Sequence, residues 1–161
     1  MKTNTDIDPI TRKWAVVDDE EVVLEVLQAM LRAVTCCEVV GFTDPVAAIA
    51  AIRSEPDAFE MLIVDRQMPR LGGVDLLVLA REAAPHLRFV VVTGNTLNLE
   101  KELARLSLPP SFINKPFDVK KLENATARAG SFEPKPDQPG EPNPGLGLSI
   151  FEPDHFPNVS G

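Results

Sequence analysis

Five side chains in this sequence could act together: Asp18 and Asp19 in AVVDDE, Asp65 in LIVDRQMP, Thr93 in VVVTG and Lys115 in FINKPF. Each closes or follows an apolar run. Asp is depleted in strands and expensive to bury unpaired, so a carboxylate ending such a run is either solvated at a loop mouth or held there for chemistry. Three carboxylates brought to one mouth would repel one another unless a cation neutralised them. All-oxygen ligation selects a hard ion. Mg²⁺, which keeps several waters and takes one or two carboxylates plus a phosphate oxygen, fits an open mouth better than a Ca²⁺ cage. Taken singly, each residue has an ordinary explanation: Asp18 or Asp19 as a helix cap, Thr93-Gly94 as a turn, Lys115 as a surface cation.

The elements that must position these residues are short. Strand-like runs are predicted at Trp14–Val17, Glu38–Phe42, Met61–Asp65, Phe89–Thr93 and Phe112–Ile113. Between the first two, Val22/Val23, Val26/Leu27, Met30/Leu31 and Val34 repeat at helical spacing. A second helix is expected after Thr43-Asp44-Pro45, an N-cap followed by proline in the first turn. A third follows Gly72-Gly73 and ends near Pro85, a fourth covers about Leu97–Leu106, and a fifth runs from Asp118 to Ala129 and stops at Gly130. Strands separated by single helices, with little alternation within the apolar runs, indicate a parallel α/β sheet covered on both faces. Ligands of such sheets bind outside the carboxyl ends of the strands. All five polar residues fall there.

In order along the chain, the Asp pair, Asp65 with Met68-Pro69, Thr93 and Lys115-Pro116 followed by Phe117 resemble the receiver domain of two-component response regulators. MPRLGGVDLL matches the same pattern, and the resemblance covers about residues 12–129. It implies a flavodoxin-like (βα)5 fold, a five-stranded doubly wound sheet with strand order 2-1-3-4-5. It also implies that Asp65 accepts a phosphoryl group from a histidine kinase or a histidine phosphotransfer domain. Asp19 would bind Mg²⁺ directly, Asp18 mostly through water, and Asp65 with the Gln67 backbone carbonyl would complete the protein's share. Lys115 would pair with the acid and then with phosphoryl oxygens, Thr93 would bind the phosphoryl group, and Phe112 occupies the aromatic switch position. Gln67 and Asn95, each two residues beyond a site residue, would set the lifetime of the phosphoryl group. Pro109-Pro110 departs from the usual run into strand five, on the face through which such domains signal.

Composition narrows the setting. With 24 acidic against 16 basic residues and a net charge of −8, the 161-residue chain lacks the basic surplus that nucleic acid or anionic membranes attract. Adjacent Cys36 and Cys37 fit neither a disulfide framework nor a CxxC metal pair, and no apolar run has the length of a signal core or a membrane span. A cytoplasmic protein is expected. Residues 1–11 read as an extension and 130–161 as a Pro/Gly-rich, disordered tail too short for an output domain, with an apolar distal motif suited to docking a partner. His86 and His155 read as ordinary exposed residues. The expectation is a single-domain regulator that signals through protein contacts, including a face made by helix four, strand five and helix five, with a homodimer as one outcome. It would be no enzyme beyond self-catalysed phosphotransfer and autodephosphorylation. The alternatives are a phosphorylation-independent scaffold and a receiver cut from a longer transcriptional regulator. A phosphatase using an aspartate nucleophile would want a second acid at position 67, where this chain has Gln.

Overall fold

The computed structural model describes residues 12–105 and 111–129. Five strands, β1 (Lys13–Val17), β2 (Glu38–Phe42), β3 (Phe59–Asp65), β4 (Arg88–Thr93) and β5 (Phe112–Asn114), form one parallel sheet ordered β2-β1-β3-β4-β5. Helices α1 (Glu21–Val34), α2 (Pro45–Ser54), α3 (Gly73–Ala83), α4 (Leu99–Arg105) and α5 (Val119–Arg128) connect and cover it. This is the flavodoxin-like arrangement expected from the sequence.

Side-chain alternation divides the interior. Successive strand residues point to opposite faces, so Met61 and Ile63 of β3 enter one core cluster with Leu24, Leu27 and Leu31 of α1 and Leu122 of α5. Leu62 and Val64 enter the other, with Ile49 and Ile52 of α2, Leu76 and Leu77 of α3, and Leu99 and Leu103 of α4. Burial on both faces is why the strand sequences read as unbroken apolar runs. On α1 the buried stripe is narrower than the apolar repeat suggested: Val22 is 74% and Val26 48% exposed.

Local chemistry starts two of the helices. Asp44 caps α2 by accepting from the Val46 N–H at 3.0 Å, with Pro45 in the first turn, and Asp118 caps α5 by accepting from the Lys121 N–H at 2.8 Å. Asp44→Ala or Asp118→Ala should each lower stability by about 1 kcal/mol. Urea unfolding followed through Trp14, the single tryptophan and 7% exposed, would measure the loss.

Most boundaries fall within a residue of the sequence reading, and two element starts differ by two residues. Strand β3 begins at Phe59, directly after a 3-10 turn at Pro56–Ala58. Helix α4 begins at Leu99 because the Leu97 N–H is held by Asn95 Oδ1 at 2.8 Å and Asn98 takes a left-handed φ of 63°, so the loop continues two residues further. The expectations for the 1–11 extension, for Leu106 and Pro109-Pro110, and for Gly130 and the tail lie outside the described residues.

Candidate functional site

Parallel pairing levels the strand ends. The ladder matches Val17 with Val64, Asp65 with Val92 and Thr93 with Asn114, so Asp18, Asp65, Thr93 and Lys115 come to one edge. Backbone bonds extend the ladder past the strands: the Asp18 N–H donates to Phe42 O at 3.2 Å, Arg66 N–H to Val92 O at 2.8 Å and Lys115 N–H to Thr93 O at 2.8 Å. Lys115 then joins the two acids. Its Nζ lies 2.8 Å from Asp65 Oδ1 and 3.6 Å from Asp18 Oδ2. The remaining oxygens face main chain: Asp65 Oδ2 accepts from the Gln67 N–H and Asp18 Oδ1 from the Glu20 N–H, each at 2.9 Å. Asp18 and Asp65 are buried, while Asp19 is exposed at the rim.

One oxygen is left over. Asp18 Oδ2 is buried and accepts no hydrogen bond, because 3.6 Å to Lys115 is too long for one. Burial pushes the Asp18 carboxyl above its ordinary pKa; the Glu20 N–H and Lys115 pull it partly back, and Asp65 and Asp19 raise it further. Burial alone would lower the Lys115 ammonium, but its hydrogen bond to Asp65 and the charges of Asp65, Asp18 and Glu20 outweigh that and hold it above the usual lysine value. Excess negative charge with an unsatisfied oxygen is what a hard cation relieves. Among the described residues no three acidic, histidine or cysteine side chains form a cage. The two buried carboxylates that Lys115 joins would suit an ion that keeps water and takes few carboxylates, which is the habit of Mg²⁺.

The other expected residues are less closely gathered. Thr93 is buried on the same edge, but its hydroxyl donates to Asn95 O at 2.7 Å and accepts from the Asn95 N–H at 3.1 Å, so it serves its own loop. Phe112 is half-buried against the α2/α3/α4 core. Gln67 and Asn95 are exposed and line a cavity of about 320 Å³ between the starts of α3 and α4, together with Arg66, Asp75 and Glu102. His86 is exposed and its Nε2 lies 3.1 Å from Phe59 O, at the strand's opposite end. Sequence reasoning missed two contributors. Gly73 packs its Cα against the Asp65 carbonyl and donates its N–H to Arg66 O at 3.1 Å, for which only the MPRLGG pattern was a signal. Arg66, marked in the sequence only by its place directly after Asp65, reaches across to the β4–α4 loop, a contact with no sequence signal.

The response regulator receiver domain is the family that matches this chain, over residues 15–127. The chain belongs to that family. Among curated proteins, the receiver is 28% identical over 102 residues to the two-component response regulator ARR21 of Arabidopsis thaliana, a match that takes in 63% of this chain and 16% of that relative. The chain thus corresponds to a small part of that protein's length. A response regulator receiver domain from Clostridium thermocellum superposes with a TM-score of 0.64 at 24% identity, covering 72% of this chain and 91% of its own. The chemotaxis protein CheY4 of Vibrio cholerae gives 0.65 at 21% identity, covering 73% and 98%. At those identities the likeness of the solved structures speaks for the receiver fold.

Proposed function

We propose that this receiver takes a phosphoryl group onto Asp65 from a phosphohistidine of a kinase or phosphotransfer domain, and signals by the change in surface that follows. The observation that carries the reading is the Lys115 ammonium set 2.8 Å from Asp65 Oδ1 beside the unsatisfied Asp18 oxygen. Phosphoryl transfer asks mainly for positioning and charge neutralisation. A carboxylate oxygen of Asp65 attacks phosphorus, the P–N bond breaks, and its electron pair returns to the imidazole nitrogen. The product is an acyl phosphate.

This chain's residues prepare that step. The Gln67 N–H and Lys115 fix the rotamer of Asp65, and Lys115 stays near enough to neutralise the arriving oxygens. Asp18, Asp19, Asp65 and the Gln67 carbonyl would hold Mg²⁺, which supplies further positive charge at the phosphoryl group when bound. Thr93 leaves Asn95 for a phosphoryl oxygen, and Phe112 turns into the space it vacates. Gln67 and Asn95 flank the approach of hydrolytic water. Val22 and Val26 in the first two turns of α1 and Val119 at the start of α5 are exposed apolar side chains on helices that leave the carboxyl edge, and they are the positions we assign to contact with the donor protein.

Among the described residues no helix is long and apolar enough to cross a membrane. A cytoplasmic, single-domain signalling protein that turns over its own phosphoryl group, with no other enzymatic activity, is the setting we propose. The test is intact mass after incubation with Mg²⁺ and acetyl phosphate. Wild type should gain one labile phosphoryl group and Asp65→Asn none. Failure with acetyl phosphate and with phosphohistidine donors alike would favour the phosphorylation-independent scaffold.

A further inference from the structure

Arg66 follows the phosphoacceptor directly, and its side chain turns to the face opposite Asp65. Its Nη1 donates to Asn95 O at 2.7 Å and Leu97 O at 3.3 Å, and its Nη2 pairs with Glu102 Oε2 at 3.0 Å. The backbone beneath it is equally fixed, donating to Val92 O and accepting from Gly73. An exposed ion pair would count for little, but the Arg66 side chain is only 19% exposed and, besides Glu102, engages two backbone carbonyls in a fork. The helix it grips is slight. Helix α4 has seven residues and buries Leu99 and Leu103, so Arg66 is a substantial part of what holds α4 among the described residues.

Asn95 O is a shared acceptor. It receives the Thr93 hydroxyl at 2.7 Å as well as the Arg66 guanidinium. If Thr93 is to meet a phosphoryl group, it must leave that carbonyl, and any inward movement of the loop stretches the Arg66 bonds to Asn95 and Leu97. We propose that Arg66 is a positioning residue that latches the β4–α4 loop and α4 in the arrangement with Thr93 turned away from Asp65. The inference rests on the reading of Asp65 as phosphoacceptor. A reaction that proceeds through a minor arrangement is slowed in proportion to that arrangement's scarcity, so the latch restrains phosphoryl uptake as well as the loop.

Two measurements on the full chain test this. Hydrogen exchange across residues 95–105 of the unphosphorylated protein reads the latch alone, and intact mass with Mg²⁺ and acetyl phosphate reads uptake. Arg66→Ala should exchange faster there and take up the phosphoryl group about fivefold faster, with Glu102→Gln and Arg66→Lys both faster than wild type but slower than Arg66→Ala. A merely structural lesion would not speed uptake. Should Arg66→Ala fail to fold, Glu102→Gln, which leaves the Asn95 and Leu97 bonds available, carries the test. Unchanged or slower uptake in folded variants overturns the latch. Absence of uptake in wild type and variants alike overturns the phosphoacceptor reading, and the latch with it.

Discussion

Gly73→Ala should lower stability by about 3 kcal/mol and slow phosphoryl uptake by on the order of 100-fold. An added Cβ would overlap the Asp65 carbonyl oxygen and come within 3.0 Å of its carbon and 3.1 Å of Arg66 Cα. All three neighbours are backbone, so no side chain can swing away. Either α3 backs off the strand end or the end of β3 moves, and the second displaces the carboxylate from Lys115. Overpacking of this kind sits at the upper end of the usual range, and a shift of about 1 Å in a reacting group is enough for the kinetic loss. Gly94→Ala is the control, since nothing lies within 4 Å of a Cβ there. Urea unfolding and the mass assay should separate the two variants. If Gly73→Ala behaves as Gly94→Ala does, the close approach does not position Asp65.

Asp18→Asn should reverse the order of stability according to metal. In metal-free buffer near neutral pH the variant should be about 1 kcal/mol more stable, because wild type holds a buried, charged carboxylate with one unsatisfied oxygen. The sign follows from the raised Asp18 pKa. A carboxyl whose folded pKa exceeds its unfolded value binds more protons when folded, so its contribution to stability is present below the ordinary value of 3.8 and lost as pH rises through the folded value. Asparagine does not titrate. The variant's advantage should therefore shrink on acidification towards that range and level off above the raised value. Saturating Mg²⁺ should invert the comparison, since a ligand at a hundredfold excess over Kd adds about 2.7 kcal/mol to the state that binds it. Melting in EDTA and in Mg²⁺ across pH 4 to 8 reads all of this. A variant that gains from Mg²⁺ as much as wild type would remove Asp18 from the metal set.

How far the sequence discloses the site depends on which forces act locally. Asp18, Asp65, Thr93 and Lys115 were legible because each ends or follows a strand, and a parallel sheet brings strand ends to one edge whatever the details of packing. Asp44 and Asp118 were legible as helix starts, since a cap needs only the N–H groups of the next few residues. Arg66 was not: its partners are 29, 31 and 36 residues away, and two of them are backbone carbonyls, which have no residue type to betray them. Val22 and Val26 misled for the opposite reason. Their spacing fits a buried stripe, yet the face of α1 that meets the sheet and α5 is filled by Leu24, Leu27 and Leu31.

The partition of the interior by the sheet has an evolutionary corollary. Asp65 shares its strand parity with the residues beneath α1 and α5, whereas Arg66, Thr93 and Phe112 belong to the side of α2, α3 and α4. If the donor docks on α1 as proposed, substitutions on its outer surface should retune donor choice while a separate interior insulates α4 from them. If the latch acts as proposed, changes around Glu102 should likewise alter the response without disturbing donor choice. On that reading donor choice and the α4 response can drift as separate traits, while α5, which packs in one cluster with α1, stays tied to the donor's side.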